Sequence, residues 1–370
     1  MEFQIAKQTF FKELSLLQGI IERKNTMPIL ANLLLTADKE GVELTASDLE
    51  VALRSKVVAE VKKGGAATIP AKKIFEIVRE LPDQGTVSMK RLENNFMEIR
   101  CGSAYFKLPG LPVEEYPSLP DIGKEKAISL PGGVLREMIR RTIFSIAQED
   151  IRYAMNGALF QVEGNRLILV GTDGHRLAYI SGELESKKSS DKIEVIISRK
   201  ALGELIKLLP EAEEEVQFGR FESFLFFKID SHLLLSRNIE AQFPNYEKFI
   251  SLKNDKMAVF NSVLLNKTIR RVAVVSNERS RAVEFHISDG SARLSSANPE
   301  MAEGSDSMEI QYSGPDLKIG FNSQYLTDYL TAISAEEVVF ELNTESTAAL
   351  IKQKGNDQYD YRYVLMPMRL

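Results

Sequence analysis

Apolar residues along the chain recur with two periods, and the order of those periods itself repeats. Between residues 69 and 82, IPAKKIFEIVRELP sets Ile74, Phe75, Ile77, Val78 and Leu81 at the spacing of an amphipathic helix of about three turns. Comparable segments begin at residue 197 (ISRKALGELIKLLP) and residue 321 (FNSQYLTDYLTAIS), offset by 128 and then 124 positions. Each follows an earlier helical pattern. In residues 7–24 it is carried by Phe10, Leu14, Leu17 and Ile21, and its counterparts are LPGGVLREMIRRTIFSIA from residue 130 and FNSVLLNKTIRRVAVVS from residue 260. Between the two helices of each third the pattern alternates with period two. Tight turns interrupt it at Lys39 to Gly41, Glu163 to Asn165 and Ser288 to Gly290. After the second helix each third returns to strands, in NFMEIRCGSAYFKL, FLFFKIDSHLLLS and STAALIKQKGNDQYDYRYVLM. The pattern predicts an α+β protein of three repeated domains, each with two helices packed on antiparallel β sheets. The Pro-bearing connectors YPSLPDIG and FPNYEKFI place the joints near residues 124 and 252, giving domains 1–124, 125–252 and 253–370.

Composition narrows the class. The 370 residues are 44% hydrophobic, enough for several cores, and no run of about 18 apolar residues could span a membrane. The start, MEFQIAKQTFF, lacks the basic and apolar regions of a signal peptide. The single cysteine, Cys101, allows no internal disulfide and fits a reducing cytoplasm. A net charge of −5 argues against a nucleic-acid partner until its distribution is considered. The six helical segments, 7–24, 71–81, 134–147, 199–209, 261–275 and 323–334, hold sixteen Lys and Arg against seven Asp and Glu. Basic helices in an otherwise acidic chain suit a surface that attracts phosphates while the exterior repels them. The residues available for such a surface are Lys12, Lys72, Lys73, Arg79, Arg136, Arg140, Arg199, Lys200, Lys207, Lys267, Arg270 and Arg271. No aromatic interleaves on the faces shared by Lys267, Arg270 and Arg271 or by Arg136 and Arg140 to stack on bases, so the expected mode is backbone attraction without sequence readout. The alternative for any one helix is a solvated outer face. The third copy of the late helix, SQYLTDYLTAIS, has no basic residue at all.

Catalytic patterns are sparse. His175, His232 and His286 lack ligand spacing, no phosphate-binding glycine loop is present, and no cofactor is implied. Asp48, Asp173 and Asn298 recur at intervals of 125 in TASDLE, GTDGHR and SANPE. That regularity suits turn-formers bonding their own backbone better than catalytic acids. Two other readings stay open at this level: a hydrolase centred on Asp173, His175 and Arg176, and a partner-binding scaffold without a DNA role.

MPILANLLL from residue 27, TDGHRLA from 172, SNERSRAV from 276, YSGPDLKIGFN from 312 and the terminal YVLMPMRL extend the triplication into a resemblance. Over its full length the chain resembles the bacterial DNA polymerase III β subunits, the replicative sliding clamps. The resemblance implies a non-catalytic processivity factor of the replicative polymerase, acting as a homodimeric ring of six domains that encircles double-stranded DNA. It implies basic helices facing that DNA, with Lys24 and Gln148 contacting it near the ring's face. It also implies a groove for partner peptides at Met155, Thr172, Gly174, His175, Arg176, Leu177, Pro244, Lys248, Phe249, Ser346, Val364, Leu365, Met366, Pro367, Met368, Arg369 and Leu370. The methionines and apolar residues of that terminus suit a surface that adapts to several peptides. Phe106 and Leu108 of the first third, with Val274 and Val275 of the last, match the dimer interface. Expected partners are the polymerase catalytic subunit, the clamp loader, and other polymerases and mismatch-repair or replication-control proteins.

Overall fold

The structure, a computed structural model, describes residues 1–21, 27–123, 125–184, 189–209, 214–298, 302–355 and 358–369, without the side chains of 189–191 and 298. Lys24 and Leu370 lie outside the described residues. The first third runs Glu2–Ala6 (β1), Lys7–Leu17 (α1), Asn32–Asp38 (β2), Gly41–Ser47 (β3), Val51–Val57 (β4), Glu60–Lys63 (β5), Gly65–Pro70 (β6), Ala71–Glu80 (α2), Thr86–Arg91 (β7), Phe96–Cys101 (β8) and Ala104–Pro109 (β9). The middle third runs Ala127–Pro131 (β10), Gly132–Arg140 (α3), Gly157–Gly164 (β11), Arg166–Thr172 (β12), Arg176–Glu183 (β13), Ser189–Ser198 (β14), Arg199–Leu208 (α4), Glu215–Phe221 (β15), Phe224–Ile229 (β16) and His232–Arg237 (β17). Glu247–Ile250 (α5) lies in the connector, and the last third runs Lys256–Asn261 (β18), Ser262–Ala273 (α6), Ala282–Ser288 (β19), Ser291–Asn298 (β20), Ala302–Glu309 (β21), Leu317–Asn322 (β22), Ser323–Ala332 (α7), Glu337–Leu342 (β23), Ala349–Gln353 (β24) and Asp360–Leu365 (β25). Each third thus repeats a strand, a helix, a group of strands, a helix and three strands. The first third adds β5, and the connector before the last third adds the short α5.

The expected hairpins form where the turn residues place them. Asp38 pairs with Gly41, Glu163 with Arg166 and Ser288 with Ser291, leaving two-residue loops. In the last third both main helices start from the same device, an asparagine cap inside FNS. Asn261 Oδ1 accepts from Leu264 N at 2.9 Å, and Asn322 Oδ1 accepts from Gln324 N and Tyr325 N at 2.9 and 3.2 Å.

Two helix ends differ from the pattern. The helix expected over 7–24 stops at Leu17, and Ile20 rather than Ile21 takes the buried position. The turn passes so close to α4 that a Cβ on Gly19 would lie 2.1 Å from the Glu204 carboxylate. The helix expected over 134–147 covers Gly132–Arg140 instead. Thr142 Oγ1 donates to Met138 O at 2.8 Å, and the chain then tightens into a 3-10 turn over Ile143–Ser145. Arg141 therefore lies beyond α3.

All strand ladders among the described residues are antiparallel and form four sheets, ordered β5-β1-β7-β8-β9, β10-β15-β16-β17-β4-β3-β2-β6, β14-β11-β12-β13-β25-β24-β23-β18 and β21-β20-β19-β22. The two larger sheets each join strands of adjacent thirds, through β17 against β4 and β13 against β25. Packing divides the chain into two compact units, Met1–Gly133 with Lys200–Asn238, and Val134–Arg199 with Ile239–Leu370.

In the first unit α1 buries Phe10, Leu14 and Leu17, while Phe11 stacks on Phe75 of α2 at 5.4 Å. In the second unit Phe285 and Phe340 each pack edge to face or tilted within 6.5 Å of one another and of Phe260 and Phe321, and Tyr329 of α7 stacks on Tyr363 at 4.7 Å. One buried polar cluster lies inside the first unit. Glu13 Oε2 accepts from Ser55 Oγ at 2.6 Å and lies 2.8 Å from His232 Nε2. Burial pushes the Glu13 pKa up, but the His232 and Ser55 hydrogen bonds more than offset it, so the carboxyl sits below its ordinary 4.5.

A lowered carboxyl pKa contributes stability that is present above the unfolded value and lost as pH falls through the folded one. Glu13→Gln is expected to unfold more easily near neutrality, by about 1–2 kcal/mol. The difference from wild type should shrink below pH 4.5. Thermal melts of both proteins across this range check it; a pH-independent difference would remove Glu13 from the account.

Candidate partner groove and basic helices

The β12–β13 hairpin turn of the second unit builds itself from its own side chains. Thr172 Oγ1 donates to Arg176 O at 2.7 Å and accepts from Gly174 N at 3.1 Å. Asp173 Oδ1 accepts from His175 N and Arg176 N at 2.9 and 3.0 Å. Asp48 performs the same task in the first third, accepting from Glu50 N and Val51 N at 2.9 and 2.6 Å. Both are turn-formers, as their periodic placement suggested; the Asn298 side chain is not described. Gly174 takes a left-handed φ of +86°, and a Cβ there would meet the Arg152 guanidinium at 3.1 Å.

Arg176 locks this turn to the last third. Its guanidinium donates to Asp173 at 3.0 Å and to Asp328 of α7 at 2.6 Å, with the Tyr325 ring centroid 4.2 Å away. Burial disfavours its charge, but Tyr363 and the carboxylates of Asp328 and Asp173 outweigh that, and its pKa is raised. Asp173 is thereby occupied with backbone and arginine. Among the described residues no hydrogen bond or ion pair joins the exposed His175 ring to Asp173, so the two do not form an acid–base pair.

Beside the turn lies a cleft of about 250 Å³. Met155, Leu177, Pro244, Phe249, Val364 and Met366 supply its apolar walls, with Thr172, Gly174, His175 and Arg176 on the turn side. Beneath it, Leu177, Tyr179, Ile168, Val170, Leu350 and Val364 form one packed sheet face, onto which the connector lays Ile239, Phe243, Tyr246 and Leu252. The FPNYEKFI segment, read as a domain joint, is also a wall of the site. Arg152, Asn245 and Tyr246 line the cleft without having been singled out from sequence. Tyr246 had a legible signal, an aromatic two residues after Pro244 in the connector. It stacks on Tyr179 at 5.9 Å and donates to Gln161 Oε1 at 3.0 Å, and burial first, then Tyr179 and nearby glutamates, push its pKa up to about 12.

The other expected groove residues stand elsewhere. Leu365 is fully buried on the opposite side of its strand from Val364. Lys248 and Ser346 are exposed outside the cleft lining, and Pro367 follows Met366 out of it. Met368 and Arg369 line a different depression.

The basic helix residues fall into two groups. Lys12, Lys267 and Arg270 are exposed and have no ion pair among the described residues, and Gln148 is likewise exposed. The rest have neighbours. Lys72 and Lys73 share Glu76 at 4.0 and 2.8 Å, Arg79 meets Glu80 at 2.9 Å, Arg140 meets Glu137 at 2.7 Å and Lys207 meets Glu204 at 2.7 Å. Arg271 bonds Asp306 of β21 at 2.6 Å. Lys200 is half-buried, paired with the carboxylate of Asp48 and 3.1 Å from Ile20 O. Arg199 donates to Ile146 O, and burial lowers its pKa. Arg136 is half-buried on α3.

Models of the three domains of the DNA polymerase III β subunit match residues 1–120 (N-terminal), 129–245 (central) and 248–369 (C-terminal). The beta sliding clamp of Pseudomonas aeruginosa is 35% identical over 371 residues, covering all of both chains. The chain belongs to the bacterial sliding-clamp family. Two solved clamps share its fold over the full length of both chains. That of Bartonella birtlesii, bound to griselimycin, has a TM-score of 0.94 at 34% identity, and that of C. crescentus, with PEG at a putative β-motif tethering region, has 0.91 at 31%. Membership makes this a non-catalytic processivity subunit of a bacterial replicative polymerase. No helix among the described residues is long and apolar enough to cross a membrane.

The four residues that the resemblance matches to a dimer interface lie on or near terminal strands. Phe106, 36% exposed, and Leu108 lie on β9, the terminal strand of the five-stranded sheet. Val274, 81% exposed, and Val275 follow α6, whose Arg271 is bonded to β21, the terminal strand of the four-stranded sheet.

The turn geometry gives a direct comparison of two glycines. Gly174→Ala is expected to cost about 1–2 kcal/mol in urea unfolding, through left-handed strain and displacement of Arg152. Gly123→Ala, where a Cβ meets nothing within 4 Å, should be neutral or slightly stabilising. Equal effects at both positions would contradict the assigned turn.

Proposed function

We propose that two copies close head to tail into a ring around duplex DNA, slide on it without sequence recognition, and tether partners through the cleft beside Gly174. The three repeats, 1–124, 125–252 and 253–370, are taken as the three domains that each copy supplies to a ring of six. β9 and β21 are its meeting edges, with Phe106, Leu108, Val274 and Val275 between them. The observation that carries the groove is the convergence of ten residues expected from sequence, from Met155 to Met366, on one apolar cleft. Its occupants are short segments of the polymerase catalytic subunit, the clamp loader, and other polymerases and mismatch-repair or replication-control proteins, in the cytoplasm. We place griselimycin, which the B. birtlesii clamp binds, in the same cleft.

For DNA attraction the exposed cations without ion pairs are the ones that matter, since paired ones already have a counter-charge. Lys267→Glu with Arg270→Glu should reduce retention on circular duplex after loading, most strongly at low salt, while leaving Arg271–Asp306 in place. Retention should also vanish for wild type once the circle is linearised. Unchanged retention in the double variant would refute the assigned lining, and persistence on linear DNA would refute encirclement.

His175→Ala is expected to weaken griselimycin binding several-fold, measured by calorimetry, with the purified protein showing no hydrolytic turnover before or after. Turnover that disappeared with this change would favour the hydrolase reading.

A further inference from the structure

The tail of the chain leaves the cleft along a defined path. Met366 N donates to His175 O at 2.9 Å at the cleft, and two residues later Met368 N donates to Gly320 O at 2.8 Å, at the free edge of β22. Met368 and Arg369 there become the near wall of a second depression in the same compact unit, about 770 Å³, on one face of the β21-β20-β19-β22 sheet.

Strand register explains both its shape and its charge. One cross-strand row aligns Gly320, Glu284, Ser295 and Ser305, so small residues surround a single carboxylate and leave the face hollow. The next row aligns Lys318, His286 and Arg293. Lys318 lies two residues from Gly320, on the same side of β22 as the tail contact. Lys318 and Arg369 are exposed and have no ion pair among the described residues; Arg293 bonds Ser305 Oγ at 3.0 Å, and His286 lies 3.5 Å from Asp316. Glu284 and Glu303 also line the hollow, so its positive character is concentrated in the Lys318–Arg293 row and at Arg369.

We infer that this hollow is an extension of the partner groove, taking the residues that flank a groove-bound segment and selecting an acidic one. The inference rests on the groove reading above. It is favoured by continuity, because one stretch of four residues, Met366 to Arg369, walls both sites. It is favoured also by charge, because the row beside the one that the tail contacts is basic and Arg369 of the tail adds a further cation, while the apolar cleft itself offers little discrimination between sequences. An extended peptide suits the hollow because its floor presents serine hydroxyls at strand spacing and lacks an enclosed apolar pocket.

The test uses fluorescein-labelled synthetic peptides with a Leu- and Phe-containing half, followed or preceded by a triple-Asp, triple-Ser or triple-Lys flank. Binding is read by fluorescence polarisation on the full-length protein, with griselimycin as competitor for the apolar half. At low salt the Asp flank should tighten binding over the Ser flank by roughly three- to ten-fold, as expected for one or two exposed ion pairs. The Lys flank should weaken it. In Lys318→Glu with Arg293→Glu the Asp advantage should disappear or invert, while the Ser-flanked peptide binds as in wild type. Equal binding of Asp- and Ser-flanked peptides to wild type, or an Asp advantage that survives the double substitution, would overturn the extension while leaving the groove intact. Peptides that griselimycin cannot displace would overturn the groove reading, and the extension with it.

Discussion

The partner site depends on one backbone ladder, the antiparallel pairing of β13 with β25. It sets Arg176 opposite Leu365 and Leu177 opposite Val364, joining a hairpin of the middle repeat to the last strand of the chain. Side chains alternate across a strand, so a slip of one residue would turn Val364 away from the cleft and bring Leu365 into it. The Arg176 ion pairs with Asp173 and Asp328 fix that register from the side. A surface residue in that place would tolerate exchange; a buried guanidinium between two carboxylates does not, because losing either partner leaves charge without compensation in a poorly solvated site.

The repeat, the helices and the hairpins were legible because each rests on local rules. Ile74 and Val78 at helical spacing, and the two-residue turns at Lys39 and Asp289, need no knowledge of the rest of the chain. The turn role of Asp173 was legible for the same reason. Helix ends were less so, since α1 stops where Gly19 meets Glu204, far away in sequence. Tyr246 and Arg152 were missed because they join the cleft through packing on Tyr179 and over Gly174, which no spacing records. Conversely Leu365, Met368 and Arg369 were placed in the groove by resemblance together with Met366, and strand alternation and the path of the tail set them outside the lining of the apolar cleft itself.

Charge counting along helices shows a similar limit. A tally treats Lys200 and Lys267 alike, yet one is held against Asp48 and the other stands exposed. Attraction to phosphate depends on which cations keep their field available, and several helix cations here share that field with a glutamate one turn away. The net positive balance of the helices is therefore an upper bound on what a duplex would experience. In the last repeat α7 carries no cation, so its helix cations are those of α6.

The two large sheets carry a consequence for how such a chain can change over time. The middle repeat contributes β10 and β15 to β17 to one sheet and β11 to β14 to the other, and the compact units divide inside it. Removing that repeat would strip a neighbour from β4 and another from β25, leaving both with unpaired backbone. Sequence periodicity suggests modules that could be duplicated, deleted or swapped, whereas the hydrogen-bond ladders bind them into an inseparable series. Once the triplication had occurred and its strands had joined, loss of any one copy became a folding defect, and divergence within the copies was the route left open.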